Sequence, residues 1–250
     1  MKTFIYLIVS AICINLLPYS GVIAKDSFWN IDYLDDPAPG YLTLDNPNPE
    51  EYFFSFCTVD HYGEARLFES DSTNIAAEYL KPLPNGKWSM VRESNLFIFD
   101  EYFNIIDTLR YPAYYEPNFR DILLMPNGNY LLMCDEWIFV DMSQLVRNGD
   151  PEAEVVVTKL VEINSNSEVV WTWDPLDHMS ITDATVDIDL TQKAIDFNHG
   201  NSLFLTKEGN ILFSTRHLDE ITKINRQNGN IIWRMGGSKC KNNEFTFVND

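Results

Sequence analysis

A turn motif that recurs at a regular spacing constrains the fold of this chain more than any other feature. Pro84-Asn85-Gly86 and Pro126-Asn127-Gly128 lie about 40 residues apart, each between short apolar runs. A unit of four short strands around the motif spans Leu83–Arg110, recurs loosely at Leu124–Trp173 and appears a third time at Leu205–Arg234. Units of this length with four strands are typical of β-propeller blades. The sequence therefore predicts an all-β protein with a β-propeller fold.

Short apolar or β-branched runs between turn residues support this prediction. Aromatic residues, which favour strands, make up 14% of the chain. Helical periodicity is nearly absent, and we expect only Asp189–Ile195 to form a brief helix. An irregular β-sandwich is the alternative, but a sandwich does not repeat a turn motif at a fixed period. The predicted strands are Tyr52–Val59, Asn95–Phe99, Asp121–Met125, Tyr130–Cys134, Glu154–Ile163, Val169–Trp173, Asn210–Ser214 and Asn230–Met235.

Further turns and one long connection complete this pattern. Glu208-Gly209-Asn210 and Gln227-Asn228-Gly229 predict tight turns, since asparagine and glycine tolerate positive φ. The segment Asp174–Asn198 breaks the period, and we expect it to be a loop between blades. Loops of this length on a rigid scaffold often have a function.

The N-terminus has the pattern of an export signal. An apolar run follows Met1-Lys2, and small residues precede Lys25, so we expect cleavage of a signal peptide at residues 1–24. A membrane anchor is the alternative, but Asn15 and Pro18 interrupt the run. Residues 25–38 would form a tether and 39–250 the propeller. We expect a periplasmic or extracellular protein, without membrane insertion after cleavage.

Charge excludes two classes of partner. The formal net charge is −19 and the pI is about 4.4, which repels phosphate backbones and anionic lipid headgroups, so we expect no nucleic-acid partner. The predicted mature chain contains Cys57, Cys134 and Cys240, an odd number whose pairing the spacing does not decide.

Polar side chains concentrate at one predicted hairpin. His199 and Asn201 precede one strand, and Arg216 and His217 follow the next. If these strands pair around Glu208-Gly209-Asn210, an imidazole, an amide and a guanidinium meet at the same edge and could hold one anion. The alternative is that His199 is a turn histidine satisfied by its neighbours and that Arg216 forms a structural ion pair.

Other constellations are weaker. His178, in the long loop, could lock that loop or donate a proton. There is no strand–G-x-S-x-G–helix pattern for a hydrolase. Scattered histidines and the absence of calcium-type carboxylate spacing indicate no metal and no cofactor.

An ordered series of motifs resembles the bacterial arylsulfotransferase family over roughly Pro39 to Asp250. The segments that contribute are Leu124–Leu132, Trp171–Trp173, His178 with Ile181–Ala184, Ile195–Ser202, Leu212–Ile221, Ile231–Gly237 and Phe245–Asp250. The resemblance implies a six-bladed propeller in an exported protein. It also implies transfer of a sulfuryl group from an aryl sulfate ester to a phenol through a sulfated histidine, without a nucleotide donor.

Residue by residue, the resemblance assigns catalytic positions to His199, Asn201 and Arg216, which would hold the sulfuryl oxygens. It also indicates substrate-binding positions at Arg120, His217 and His178. Small-molecule aryl sulfates and phenols are the implied partners. The sequence does not decide the oligomeric state, and a homodimer is one option.

Two departures from the family pattern affect this hypothesis. Arg120 stands where the family usually has a histidine, and arginine cannot shuttle a proton near neutral pH. The sequence stops at Asp250, where the family continues into a blade with the nucleophilic histidine, so we expect a fragment with an incomplete propeller. The alternative function is a non-catalytic secreted propeller that binds an anionic ligand or a partner protein.

Overall fold

The computed structural model of the protein describes residues 41–45, 56–60, 62, 65–69, 78–92, 94–101, 104–237, 239–240, 243 and 245–246. The predicted signal peptide (1–24) and tether (25–38) lie outside these residues, as does the first half of the predicted strand Tyr52–Val59. Within the described residues, no helix is both long enough and apolar enough to cross a membrane.

The described residues form four sheets in chain order, antiparallel except for one pair in the third sheet. The first contains β1 (Tyr41–Asp45), β2 (Phe56–Asp60) and β3 (Ala65–Glu69), and the second β4 (Glu78–Pro82), β5 (Trp88–Arg92), β6 (Asn95–Phe99) and β7 (Ile105–Arg110). The third contains β8 (Glu116–Leu124), β9 (Tyr130–Val140), β10 (Ala153–Ile163) and β11 (Val169–Trp173), with β12 (Ala194–Asp196) parallel to β10. The fourth contains β13 (Gly200–Leu205), β14 (Ile211–Thr215), β15 (Glu220–Ile224) and β16 (Ile231–Gly236). Short 3₁₀ turns lie at Pro84–Gly86, Met142–Gln144, Pro175–Asp177 and Ile181–Asp183.

The first strands of these sheets are neighbours in space. β1 contacts β4, β4 contacts β8, and β8 contacts β13. Within each sheet the strands pair in sequence order, except that β12 pairs with β10 and not with β11. Consecutive meanders whose first strands meet have the arrangement of propeller blades around an axis. The prediction of an all-β, propeller-type fold is confirmed for the described residues.

The start of β9 in the third sheet is buried on both faces because it lies between the two neighbouring sheets. In β9, Leu131 and Met133 pack in a cluster with Phe213 of the fourth sheet. The intervening Leu132 packs in a second cluster with Leu96 of the second sheet. Alternate residues of a strand point to opposite faces, so a strand between two layers is apolar at successive positions. This accounts for the uninterrupted apolar run at the start of β9.

The predicted turns form where the sequence places them. Gly86, Gly128, Gly209 and Gly229 have φ between 73° and 85°, a left-handed conformation in which a side chain is unfavourable. Asn85 shares this region at φ 65°. The repeated motif therefore forms turns because its glycine adopts a backbone conformation with positive φ.

Two sequence predictions need correction. The predicted helix at Asp189–Ile195 is wrong: Asp189 accepts hydrogen bonds from the Thr191 amide and hydroxyl, which closes a turn instead. The chain then enters β12, whose parallel pairing with β10 satisfies its backbone. The blade units also begin earlier than predicted, since β4 and β8 precede the Pro-Asn-Gly turns.

One buried carboxylate joins the first strands of three sheets. Asp121, on β8, is 7% exposed and forms an ion pair with Lys81 of β4. It also accepts a hydrogen bond of 2.6 Å from the Leu203 amide of β13. Burial lowers the pKa of Lys81 to about 8. Asp121 therefore holds the inner strands together by charge and by satisfying a buried N–H group.

A second polar cluster joins the third and fourth sheets. Glu162 accepts hydrogen bonds from the amide side chains of Asn127 and Asn129, at the Pro-Asn-Gly turn, and pairs with Arg226 beyond β15. The Arg226 guanidinium lies 4.1 Å from the centre of the Trp171 ring. The motif at residues 126–128 and the Trp171–Trp173 motif thus meet in one contact between sheets.

The described thiols are not paired with each other. Cys134 is buried and forms no disulfide, and Cys57 contributes its backbone to β2. Burial raises the pKa of both described thiols, that of Cys240 to about 12, so neither is a reactive thiolate at neutral pH.

Replacing Asp121 by alanine should lower the free energy of unfolding by about 3 kcal/mol, since it leaves Lys81 and buried N–H groups without their partner. Chemical denaturation would measure this. Asp107→Ala, at an exposed position of β7, is the matched control and should change stability by less than about 0.5 kcal/mol. Equal stability of the two variants would contradict the role assigned to Asp121.

Glu162 should make stability depend on acid pH. Burial alone would raise its pKa, but hydrogen bonds from Asn129, Arg226 and Asn127 outweigh burial and hold the pKa below its usual value. Its contribution is therefore complete above the unfolded glutamate pKa, about 4.3, and is lost as pH falls through the lower folded value.

The stability deficit of Glu162→Gln relative to the wild type should therefore be largest near pH 7 and shrink below about pH 4. Denaturation curves across this range measure it, with Glu152→Gln, at an exposed position before β10, as the control. A deficit that does not change with pH would show that the Glu162 charge contributes nothing.

Candidate active site

The β13–β14 hairpin brings together the residues that the sequence singled out. The Arg216 amide donates a 3.0 Å hydrogen bond to the His199 carbonyl, directly beyond the pairing of Gly200 with Thr215. Asn201 lies between two paired positions of β13, where the register shifts by one residue. The structure therefore places His199, Asn201 and Arg216 at one edge of the fourth sheet.

Irregular pairing is common to the inner strands around this edge. The register shifts in β4 between Glu78 and Lys81, in β8 between Asn118 and Ile122, and in β13 between Gly200 and Ser202. A β-bulge turns a side chain away from the regular alternation and is frequent next to active sites. The exposed Arg120 lies within the irregular part of β8. Its neighbour Asp121 bonds to β13, so the segments around Arg120 and Asn201 lie side by side.

Buried polar contacts fix the chain that leads into the hairpin. The Asn198 side chain accepts a 2.8 Å hydrogen bond from the Thr158 amide and donates one of 2.9 Å to the Thr158 carbonyl. It therefore pairs with the Thr158 backbone in the way that the backbone of a neighbouring strand does. The Thr158 hydroxyl accepts from the Gly200 amide and donates to Asp135. His199 thus projects from a backbone that is held on both sides, with φ 47°.

A pair of imidazoles occupies this edge. The His199 and His217 ring centres are 4.6 Å apart, and their side chains are 15% and 17% exposed. His199 Nδ1 contacts the Asp196 carboxylate, and His217 Nδ1 lies 2.7 Å from the Asp196 carbonyl oxygen. His217 is therefore part of the group. Asp196, which the sequence did not single out as a site residue, contacts both rings.

The same three residues are the one group among the described residues with spacing suited to a metal ion. One ligand atom each from Asp196, His199 and His217 lies within 4.8 Å of the others. The carbonyl oxygen of Asp196 has no proton to give, so it requires a proton on His217 Nδ1. That proton leaves Nε2 as the ring nitrogen with a free lone pair. The contacts seen in the structure are those of a hydrogen-bonded unit.

The cations at the site are accessible. Arg216 is exposed, and no carboxylate of the described residues lies within ion-pair distance of its guanidinium. A shallow depression of about 330 Å³ beside it is lined by Ser214, Asp219, Glu220 and Met235, among others. Glu220 and Asp183 are held by the buried Arg234 instead. Arg216 thus remains available to an anion.

His178 lies apart from this group. Its ring stacks on Trp173, at the end of β11, with ring centres 5.3 Å apart and planes 9° from parallel. Within the described part of the chain it has no hydrogen bond or ion pair to His199, Asn201 or Arg216. This stacking is what the loop-locking alternative expects.

Comparison with known proteins identifies one family. A family profile described as Arylsulfotransferase (ASST) matches residues 30–247. A search of curated proteins finds no match.

Solved structures resemble this chain only distantly. A protein of unknown function from Bacteroides caccae is 12% identical with a TM-score of 0.46, and the match covers 80% of this chain and 59% of that one. Virginiamycin B lyase from Staphylococcus aureus is 12% identical with a TM-score of 0.43, over 83% of this chain and 55% of that one. Hydrazine synthase from Kuenenia stuttgartiensis is 10% identical with a TM-score of 0.41, over 68% and 46%. The chain thus spans less than two thirds of each.

Gly200 should tolerate no side chain. An added Cβ would lie 2.6 Å from Thr158 Cγ2 and 2.9 Å from Phe213 Cε2. Gly200→Ala should therefore destabilise the protein by about 1–3 kcal/mol in thermal or chemical unfolding. Ser202→Ala, exposed on the same strand, should have little effect. An unchanged midpoint in Gly200→Ala would refute this packing.

Proposed function

The chain belongs to the arylsulfotransferase family, and we propose that it transfers a sulfuryl group from an aryl sulfate ester to a phenol. The observation that supports this best is the hairpin edge, where the Arg216 amide bonds to the His199 carbonyl and Asn201 occupies the adjacent register shift. We also propose that the protein is exported to the periplasm or the cell exterior. This chain would then be part of a longer enzyme.

The chemistry requires groups that hold negative charge. A sulfuryl group in transfer spreads its charge over its oxygens, as a phosphoryl group does, so catalysis depends on positioning and charge stabilisation. The Arg216 guanidinium offers several N–H donors in a planar fork, and the Asn201 amide offers two more. Both side chains are exposed, and the backbone that carries them is held by paired strands. We assign them to the sulfuryl oxygens.

The charges around the hairpin also limit where on the surface an anion can bind. The net charge of −19 repels a sulfate ester over most of the surface. On the depression side of Arg216, the exposed Asp219 is a carboxylate that disfavours an anion. We place the sulfuryl group on the other side, towards Asn201 and His199, and the aryl group towards Arg120 on the neighbouring inner strand.

Binding without turnover is the second candidate function. It is favoured by Arg120, an exposed cation that cannot exchange a proton near neutral pH. In that case the same edge would hold an anionic ligand with no transfer reaction.

In the full-length enzyme of which this chain is proposed to be part, Arg216→Ala should lower kcat for transfer from an aryl sulfate to a phenol by roughly 10²–10³-fold, because a donor to the developing charge is lost. Asn201→Ala should act in the same direction. The rate is measured from the absorbance of the phenol that the donor releases. Arg110→Ala, exposed on the outer strand β7, is the matched control and should keep the wild-type rate.

Full turnover in Arg216→Ala would refute the site. If the full-length protein binds an aryl sulfate in calorimetry, loses that binding in Arg216→Ala, and produces no sulfated phenol, the binding function is correct and the transferase function is wrong.

A further inference from the structure

The Asp135 carboxylate lies between the strands on which two parts of the candidate site depend. Asp135 is on β9, the strand between β8 and β10 in the third sheet, and it pairs with Thr158 of β10. The Nδ2 group of Asn118, on β8, lies 3.1 and 3.2 Å from its two oxygens. The Thr158 hydroxyl donates a 2.6 Å hydrogen bond to one of them. One carboxylate therefore contacts the strand on each side of β9.

Asn118 connects this carboxylate to the irregular part of β8 that contains Arg120. Asn118 is buried, and the register of β8 shifts between Asn118 and Ile122. The Asn118 side-chain oxygen accepts a hydrogen bond of 3.3 Å from the Arg120 amide. A carboxylate only accepts hydrogen bonds, so Asp135 draws the Nδ2 group of Asn118 towards itself and leaves Oδ1 for Arg120. The direction of the Asn118 amide therefore depends on Asp135.

Thr158 connects the same carboxylate to the turn that contains His199. The Thr158 hydroxyl has one proton, which it donates to Asp135, so a lone pair is left for the Gly200 amide 3.1 Å away. The Thr158 backbone pairs with the Asn198 side chain. Thr158 thus holds both neighbours of His199, and Asp135 sets the direction of its hydroxyl.

Asp135 acts on neutral partners. No lysine, arginine or histidine among the described residues lies within ion-pair distance of its carboxylate. Its partners Asn118 and Thr158 are both buried. A buried donor without an acceptor is unfavourable, so both side chains are held in the directions that the carboxylate requires. Asp135 therefore orients its partners and does not neutralise a cation.

We infer that Asp135 is a positioning residue that fixes the segment around Arg120 relative to the segment around His199. This inference rests on the proposed transferase function, in which the aryl group lies towards Arg120 and the sulfuryl group towards His199. One substrate then spans both segments. A misplacement of about 1 Å can lower a rate by about 10²-fold, so the spacing of the two segments matters for turnover.

Amide hydrogen exchange of the full-length protein, measured by mass spectrometry of its peptides, tests this coupling without a substrate. Asn118→Ala should speed exchange in residues 119–122, and Thr158→Val should speed exchange in residues 197–203. Asp135→Ala should speed exchange in both segments, because both hydrogen-bond paths start at its carboxylate. We expect a change of about fivefold, which corresponds to the loss of one hydrogen bond.

Two control variants separate this effect from a general loss of stability. Glu136→Gln changes the next position of β9, whose carboxylate pairs with Lys159 instead. Glu162→Gln weakens the other polar contact between the third and fourth sheets. Neither variant should speed exchange selectively in the two segments. Faster exchange in only one segment of Asp135→Ala, or in neither, would overturn the inference.

Turnover of the full-length enzyme tests the positioning role itself. In Asp135→Asn the new amide donates where the carboxylate accepts, so Asn118 must turn its oxygen away from Arg120. Asp135→Asn and Thr158→Val should lower kcat for sulfuryl transfer by about 10–10²-fold and change KM for the aryl sulfate less, because the binding groups remain but are misplaced. Thr158→Ser keeps the hydroxyl and should retain most of the wild-type kcat.

The outcomes distinguish this inference from the proposed function. Wild-type kcat in Asp135→Asn, or equal losses in Thr158→Ser and Thr158→Val, would overturn the positioning role and leave the transferase function intact. If the wild type transfers no sulfuryl group, the transferase function is wrong. The exchange result requires no substrate and then decides whether Asp135 couples the two segments.

Discussion

The carboxylate of Asp121 is the contact on which the arrangement of the inner strands depends. It is buried, pairs with Lys81 of β4 and accepts from the Leu203 amide of β13. A buried charge is tolerated only when it is paired and hydrogen-bonded, so this position requires both neighbouring strands to be in place. It thereby sets β8, with Arg120, beside β13, with Asn201. The candidate site is a consequence of how the sheets meet.

Much of the fold could be predicted from the sequence because its signals are local. The glycines of the repeated turns adopt positive φ whatever surrounds them, and β6 and β11 match their predicted bounds. The errors come from contacts that the sequence does not display. The strand predicted at Tyr130–Cys134 continues to Val140 because β10 pairs with it along its whole length. Asp189 closes a turn where its residue type also suits a helix cap.

The candidate site was predictable only in part. The predicted hairpin brings His199 and Arg216 together, because the two residues flank paired strands at the same end of the hairpin. The contact of Asp196 with the histidines could not be predicted in the same way. It depends on the parallel pairing of β12 with β10, and the position of Asp196 three residues before His199 does not indicate that pairing. His178 shares the residue type of the site but stacks on Trp173. Proximity in the fold, not residue type, distinguishes these histidines.

We propose that Arg216, Asn201 and His199 surround one tetrahedral anion. It is tested most directly by a crystal structure of the chain soaked with tungstate, a heavy analogue of sulfate whose position anomalous scattering reveals. We expect one strong peak at the β13–β14 edge, within hydrogen-bond distance of the Arg216 guanidinium and the Asn201 amide. Tungstate bound elsewhere, with this edge empty and these side chains pointing apart, would contradict it.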